Sequence, residues 1–575
     1  MTYLLKYLKN YLKECIISPL FKLLEASFEL IVPLIVARIV DKGISTADTG
    51  YIFQMGGILV LLAAIGLACS LTAQYFAAKA AVGFATDLRS HLFKHINTFS
   101  YYEIDKIGTS TLITRITNDV NQVQTCVNLV LRLFLRSPFI VFGAMIMAFT
   151  VNVKAALVFV IAIPLLSVVV FGIMLSSVPL YKKVQGKLDT LLLKTRENLT
   201  GVRQIRAFCR QDEEIKSFNN EAENLFTLQS FVGKISAVLN PLTYVIVNVS
   251  LIIILWIGGD KVDTGILTKG EVLALVNYMS QILVELIKLV NLIITFTKSL
   301  ACANRIKDIL EIETSIKEPE NPVEASSKSG VSIEFKNVNF SYSESNEYAL
   351  SNLDFKINPN ETIGIIGGTG SGKTSLVHLI PRFYDATKGD VFVNDVNVKN
   401  YSLNSLRKLV GIVPQYANLF KGSIRENLKW GNENATDEEL FEALTISQAK
   451  EITDSKDGGL DFKISQGGQN LSGGQKQRFT IARALVKKPS ILILDDSASA
   501  LDYATDAKLR KALYEIKNHC TTIIISQRAA SVAGADRIIV LDDGKIAGFD
   551  SHENLLKTCD IYREIYESQT QKKEA

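Results

Sequence analysis

Apolar residues fill the first three hundred positions in long runs, and the charges gather between them. The stretch Ala156–Val178 contains no charged residue. At about 1.5 Å per residue in a helix it is long enough to cross a hydrocarbon layer of ~30 Å. Comparable runs at about 16–40, 54–78, 132–152, 240–259 and 271–297 predict roughly six spans, which would leave both chain ends on one side. Before the first run, Leu4, Leu5, Leu8 and Leu12 recur at helical spacing, with Lys6, Lys9 and Lys13 on other faces. That pattern predicts an interfacial elbow helix over 1–14, lying in the headgroup plane. The first run is interrupted by Lys22, continues to Val40 and lacks a small-residue cleavage site, so it reads as a retained span and not a signal peptide.

Lys and Arg crowd the segment 180–235, including Lys182, Lys183, Arg203, Arg206 and Arg210. The short loops near 41–53, 150–155 and 259–270 hold only Lys42, Lys154, Lys261 and Lys269. Cytoplasmic loops retain positive charge during insertion, so the long segments and both termini are expected in the cytoplasm. The segments 80–131 and 180–236 are nearly free of Pro and rich in helix formers, and predict helices running well beyond the bilayer.

The pattern changes after Glu311. A polar stretch broken by Pro319 and Pro322 predicts a linker over 311–330, following a membrane domain at 15–310. From 331 to 568 short Ile- and Val-rich runs alternate with helical ones, and a polar tail follows at 569–575. Thr362–Ile366, Ile491–Leu494, Thr521–Ile525 and Arg537–Leu541 read as buried parallel strands of an α/β domain. Composition agrees with two unlike halves: 575 residues are 48% hydrophobic and 21% charged, too apolar for a wholly soluble chain and too charged for one lying wholly in lipid. A net charge of +4 is too small to indicate nucleic acid. The seven cysteines are scattered without a CxxC pair, so neither a disulfide framework nor a zinc site is indicated.

Chemistry enters at Gly367-Gly368-Thr369-Gly370-Ser371-Gly372-Lys373-Thr374, a G-x-x-x-x-G-K-[ST] loop between the strand Thr362–Ile366 and the helical run Ser375–Ile380. Glycines let successive N–H groups approach phosphate oxygens, the helix start adds positive potential, Lys373 reaches the β/γ-phosphates and the Thr374 hydroxyl helps hold Mg2+. The strand Ile491–Leu494 ends in Asp495-Asp496, placing carboxylates at the sheet edge where such folds bind ligands, with Asp495 the expected metal partner.

Leu471-Ser472-Gly473-Gly474-Gln475 resembles the signature of ATP-binding-cassette (ABC) proteins, and it lies between the two phosphate-site motifs as in that family. Tyr342 resembles the aromatic that stacks on adenine, Gln415 the Q-loop glutamine and a further metal ligand, and Ser499-Ala500-Leu501-Asp502 the D-loop. With the preceding spans, the whole chain is similar to a bacterial ABC exporter half-transporter of the multidrug kind. The resemblance implies an exporter-type membrane domain of six helices followed by an α/β P-loop nucleotide-binding domain, with Gly367 to Ser375 among the residues contacting ATP. It implies ATP and Mg2+ as cofactors, the cell (inner) membrane as location, and an amphiphilic drug or lipid as cargo. It also implies head-to-tail pairing of ATPase domains, in which Ser472, Gly473, Gly474 and Gln475 complete a site on a second half-transporter chain. The tips around Tyr101–Thr109 and Arg203–Glu213 would dock on the ATPase domains.

Two positions depart from the pattern. Active members carry Glu after the metal-binding Asp and a His in the switch region, and here these positions read Asp496 and Gln527. Asp is one methylene shorter, and a misplacement of ~1 Å can cost on the order of 10²-fold in rate. Gln keeps hydrogen-bonding capacity without the imidazole charge. The pair resembles the impaired-site subunit of heterodimeric ABC exporters; a slow homodimer and an ATP-gated channel or sensor are the alternatives. Within the spans, Glu25 and Glu29 sit one helical turn apart, and Glu285 has Lys288 one turn on, with Asn277 and Gln281 nearby. Ionisable groups in a span face protein or a wet cavity, so these are candidates for a substrate path, or else for helix–helix pairing.

Overall fold

In lipid every backbone N–H and C=O must find its partner within the spanning structure, so long apolar runs become helices. The computed structural model describes residues 2–325, 329–342, 347–497, 499–515 and 519–570. It divides into two compact units, 1–97 with 109–312, and 98–108 with 313–575.

The first unit is helical. Its main elements are α1 (Leu12–Arg38) and α2 (Thr49–Ile96), then, past a short α3 (Tyr101–Ile107) that belongs to the second unit, α4 (Val120–Leu133), α5 (Arg136–Val151), α6 (Val153–Thr200), α7 (Gln211–Ala237), α8 (Leu239–Asp263) and α9 (Lys269–Leu310). Among the described residues five helical stretches are long and apolar enough to cross a membrane: Thr49–Ile96, Thr109–Val151, Val153–Thr200, Gln211–Asp263 and Lys269–Leu310. The sixth expected span is α1, long enough at 27 residues but with an apolar run interrupted by Lys22, Glu25 and Glu29. Both α2 and α6 have 48 residues, about 70 Å of helix, more than twice the hydrocarbon thickness.

The amphipathic N-terminal segment Thr2–Tyr11 winds as a tighter 3-10 helix that runs into α1. Leu4 is buried while Leu5 and Leu12 stay exposed. The Tyr7 hydroxyl lies 3.0 Å from His91 Nδ1, and Asn10 Nδ2 donates to Asp87 Oδ2 at 3.3 Å, so the segment is docked along α2. At the opposite end of α1, Asp41 accepts from Thr268 Oγ1 at 2.5 Å and from the Gly270 N–H at 2.8 Å. A Cβ at Gly270 would collide with the Ala37 carbonyl, so glycine is what lets α9 touch α1 there. The core uses the same device, with Ala26, Ala144, Ala148, Ala156 and Ala274 packed around Phe159 and Tyr278. Small residues allow close backbone approach where no hydrophobic force separates protein from lipid.

The second unit is built on β1 (Ile333–Phe340), β2 (Leu350–Ile357), β3 (Thr362–Gly367), β4 (Lys388–Val393), β5 (Val396–Asn397), β6 (Val410–Val413), β7 (Ile491–Asp495), β8 (Thr521–Ile525), β9 (Arg537–Asp542) and β10 (Lys545–Asp550). One sheet has the order β2-β1-β4-β5, its neighbours antiparallel. The other has the order β10-β9-β3-β8-β7-β6, parallel except for the β9-β10 hairpin. The strands β3 and β7 are buried along their whole length, which explains their continuous apolar sequence. One core fills the space around both sheets, and a second lies under the helices that precede and include the signature segment.

Two stretches expected to be loose are packed. In the linker, Val323 N–H donates to Asn400 O at 2.8 Å and Ala325 N–H to Ser405 Oγ at 3.1 Å, while residues 326–328 lie outside the described residues. The tail expected from 569 instead begins inside a helix, Asp560–Thr570, and 571–575 lie outside the described residues.

Candidate nucleotide and transport sites

Four parallel neighbours, β3, β8, β7 and β6, end at one edge of the sheet, with Ile525 level with both Ile365 and Asp495, and Val413 level with Leu494. The loops that leave them carry the phosphate-loop residues, Gln527, Asp496 and Gln415 respectively. Topology therefore gathers residues spread over 160 positions of sequence, from 367 to 527.

The glycine loop passes from β3 into α10 (Lys373–Leu379), with Gly370 at φ 84° and Gly372 at φ 91°. These are left-handed conformations that glycine adopts without a Cβ penalty. Lys373 Nζ folds back into the loop, donating to Gly367 O at 3.0 Å and Gly368 O at 2.6 Å. Burial pushes its ammonium below the usual lysine range, against the pull of Asp496 and Asp495. Thr374 Oγ1 donates to Asp495 at 3.0 and 3.2 Å. Burial raises Asp495 above the ordinary carboxylate range; the Thr374 bond opposes this, and the neighbouring Asp496 adds to it. A hydroxyl and a carboxylate this close are hard oxygen donors of the kind Mg2+ takes, with further positions left for water and phosphate oxygens. Among the described residues no group of three or more His, Cys, Asp or Glu is placed to hold a metal ion.

Asp496 adopts φ 43°, unusual for a residue with a side chain. Its N–H donates to Ile525 O at 3.1 Å, and Gln415 Nε2 donates to its Oδ2 at 3.4 Å. Burial raises this carboxyl as well. Gln527 is exposed, and its backbone is held from the C-terminal helix: Gln569 Nε2 donates to Gln527 O at 2.9 Å, and Ala529 N–H donates to Gln569 Oε1 at 2.8 Å. Sequence reading placed Gln569 in a tail and overlooked Arg528. The Arg528 guanidinium lies 5.0 Å from the Tyr503 ring centre and donates to Ser499 O at 3.3 Å, tying the switch to the D-loop. Asp502 caps the helix Tyr503–Glu515, accepting from Thr505 N–H and Oγ1 at 2.8 Å. The Tyr342 hydroxyl lies 2.8 Å from Ser375 Oγ, and its ring meets Phe340 and Tyr384 edge-on.

The signature segment is elsewhere. Ser472 caps α11 (Gly473–Val486) in a reciprocal arrangement, its Oγ accepting from Gln475 N–H at 3.3 Å and its N–H donating to Gln475 Oε1 at 3.1 Å. Leu471 anchors it in the second core, and Ser472 and Gly473 face outward.

The α3 segment also belongs to this unit. Ser100 and Glu103 form a capping box, and Glu103 Oε1 also accepts from Ser315 N–H at 3.0 Å. The Tyr101 ring sits 4.5 Å from that of Phe383, and Tyr384 donates to Asp105 Oδ2 at 2.6 Å. At the other tip, the helix Val202–Ala207 buries no residue, and Phe208 is 76% exposed.

In the membrane unit the acidic side chains part company despite their helical spacing. Glu25 pairs with Lys22 at 2.6 Å, and Lys22 also donates to Ser70 Oγ at 3.1 Å. Glu29 turns instead to Arg136, at 2.6 Å, a residue that sequence reading did not single out. Glu285 is buried and saturated by Arg136 at 2.6 Å, Lys288 at 2.7 Å and Ser137 Oγ at 2.8 Å, so helix pairing describes it better than an open path.

Comparison with known proteins agrees with this assembly. Residues 15–286 match the ABC transporter transmembrane region family and residues 350–499 the ABC transporter family. The chain is 36% identical over 565 residues to the ABC transporter ATP-binding protein YfiB of Bacillus subtilis, covering 98% of each. It is 31% identical over 573 residues to a Rickettsia felis protein named as an export ATP-binding/permease protein, again covering 98% of each. In fold it resembles a bacterial Atm1-family ABC exporter solved with ATP bound, with a TM-score of 0.79 at 23% identity, covering 97% of this chain and 99% of the other. A spanning helical unit joined to a P-loop unit, matched along nearly the whole chain, places this protein in the ABC transporter family, as an exporter half whose ATP hydrolysis is coupled to transport.

Proposed function

We propose that this chain is the hydrolytically impaired half of a two-chain exporter that moves amphiphilic drugs or lipids out of the cytoplasm or inner leaflet. The observation that carries this reading is the pair Asp496 and Gln527 at the sheet edge, beside an intact signature at Ser472–Gln475. The Asp496 side chain stops one methylene short, in a strained backbone held by Ile525, and the adjacent Gln415 contacts it at 3.4 Å. Phosphoryl transfer depends on positioning, so this arrangement favours holding ATP over cleaving it.

In this reading Tyr342 stacks on adenine and the Gly367–Ser375 loop holds the phosphates, with Lys373 exchanging its loop carbonyls for phosphate oxygens. Thr374, Asp495 and Gln415 would hold Mg2+, which would neutralise phosphate charge. Ser472, Gly473, Gly474 and Gln475 then meet the ATP of the partner chain, with Asp502 carrying the signal between sites. The exposed tip at Phe208 docks on the partner's ATPase domain. Closure of the paired domains rotates the long helices as rigid bodies and switches access across the membrane. The ATPase domain and both termini lie on the cytoplasmic side, as the Lys and Arg distribution supports.

The test is ATP turnover in lipid by this chain alone and co-expressed with a second ABC half-transporter of the same organism that carries the Glu and His at the corresponding positions. Turnover is expected only with the partner, largely surviving Lys373→Ala here and lost with Ser472→Ala here. Rapid turnover by the chain alone, abolished by Lys373→Ala, would instead make it a self-sufficient homodimer with Asp496 as its catalyst.

A further inference from the structure

Four charged side chains of the membrane unit form one alternating chain. Glu29 accepts from Arg136 at 2.6 Å, Arg136 donates onward to Glu285 at 2.6 Å, and Glu285 accepts from Lys288 at 2.7 Å. The inner members are closed off, with side-chain exposures of 7% for Arg136 and 3% for Glu285, while the end members Glu29 and Lys288 are each 41% exposed. Both ends open on the same space, a cavity of about 420 Å³ between α1 and α9 lined by Glu29 on one side and Asn277, Gln281 and Lys288 on the other. Gln281 Oε1 is buried there without a hydrogen-bond partner.

The arithmetic of this chain restricts what the cavity can hold. Two carboxylates and two cations sum to zero, so the cluster needs no counter-ion. A ligand of net charge would therefore bring an unbalanced charge into a low-dielectric layer, which is costly. A ligand with a cation and an anion on one head group adds no net charge and can satisfy both exposed ends, closing the alternating chain into a ring. Glu29 retains a carboxylate oxygen and Lys288 retains N–H donors for this purpose. The buried Gln281 carbonyl calls for a donor, which a primary ammonium supplies.

We infer that this cavity is a head-group site for zwitterionic amphiphiles, taking a primary ammonium at Glu29 and Gln281 and a phosphate at Lys288. The inference rests on the amphiphile-exporter reading above and names the substrate class of that exporter. It assigns Arg136 and Glu285 the role of positioning the two exposed ends.

Equilibrium binding to the full chain with its partner, in an uncharged maltoside detergent, tests it with three radiolabelled amphiphiles of matched chain length. These are lysophosphatidylethanolamine (zwitterionic), lysophosphatidylglycerol (anionic) and an alkylamine (cationic). The zwitterion should bind about tenfold more tightly than either ion, a difference of ~1.4 kcal/mol. Lys288→Ala leaves the cluster negative and should move the preference to the alkylamine, whereas Glu29→Gln leaves it positive and should move the preference to lysophosphatidylglycerol. Equal binding of all three probes overturns the inference, and so do variants that keep the original order or that retain ATP binding but lose every probe. In proteoliposomes, ATP-driven movement of these amphiphiles without the preference would refute the head-group assignment alone. No ATP-driven movement of any amphiphile would refute the exporter-substrate reading beneath it.

Discussion

At the level of single residues, the nucleotide site keeps two carboxyls where burial disfavours their charge. Asp495 and Asp496 both lie above the ordinary aspartate range. In mildly acidic solution the folded protein therefore binds more protons than the unfolded chain, and its stability falls as pH rises through the interval between the unfolded and folded values. Asp495→Asn keeps the shape and removes the charge. It should raise the Tm of the nucleotide-free protein by a few degrees at neutral pH, flatten that pH dependence, and abolish the further stabilisation by Mg-ATP; scanning calorimetry from pH 4 to 8 reads all three. For Asp496 the proposed shortfall is reach. Asp496→Glu restores the missing methylene and should raise turnover at this site on the order of tenfold or more, within the range that positioning errors cost. Steady-state hydrolysis, with the partner's own phosphate-loop lysine replaced, isolates the effect, and an unchanged rate would show that reach is not the limit.

Whole elements carry the next set of consequences. The short helix α3 is fixed to the ATPase unit by the capping box at Ser100, by aromatic contacts of Tyr101 with Phe383, and by the Tyr384 bond to Asp105. Burial and the adjacent Asp105 carboxylate push the Tyr384 hydroxyl far up, so it remains a donor at any working pH. Aromatic pairs add about 0.5–1.5 kcal/mol beyond their buried area. Tyr101→Ala should thus leave ATP binding intact and reduce coupled transport on the order of tenfold, the scale of an ordinary coupling energy. Parallel assays of hydrolysis and vesicle uptake check it, and equal losses in both would point to misfolding. The strands Thr362–Ile366, Ile491–Leu494, Thr521–Ile525 and Arg537–Leu541 were legible because buried parallel strands are apolar throughout, and the structure extends three of them by one residue. Their order was not legible, since β8 inserts between β3 and β7 through long-range pairing that leaves no local pattern.

For the molecule as a whole, the Lys and Arg distribution supports the proposed orientation, with the ATPase unit on the cytoplasmic side. Cys209 is exposed at a tip of the long helices, whereas Ser45 lies in a short loop on the other side of the spans. A membrane-impermeant maleimide should label Cys209 in inside-out vesicles, and a Cys209→Ser, Ser45→Cys variant should be labelled only in right-side-out ones. Reversed labelling would overturn the proposed cytoplasmic placement of the ATPase unit. The local sequence determined the spans, the phosphate loop, the signature and the two departures at Asp496 and Gln527, because hydrophobic run length and residue type at fixed spacing suffice for each. Only the tertiary structure decided that Glu25 and Glu29 take different partners, that Arg136 links Glu29 to Glu285, and that Gln569 holds the switch. Apart from the Lys22–Glu25 pair, one turn apart on α1, those contacts join residues from 40 to 149 positions apart. Burial and pairing of that kind are properties of the packed chain, and no stretch of sequence contains them.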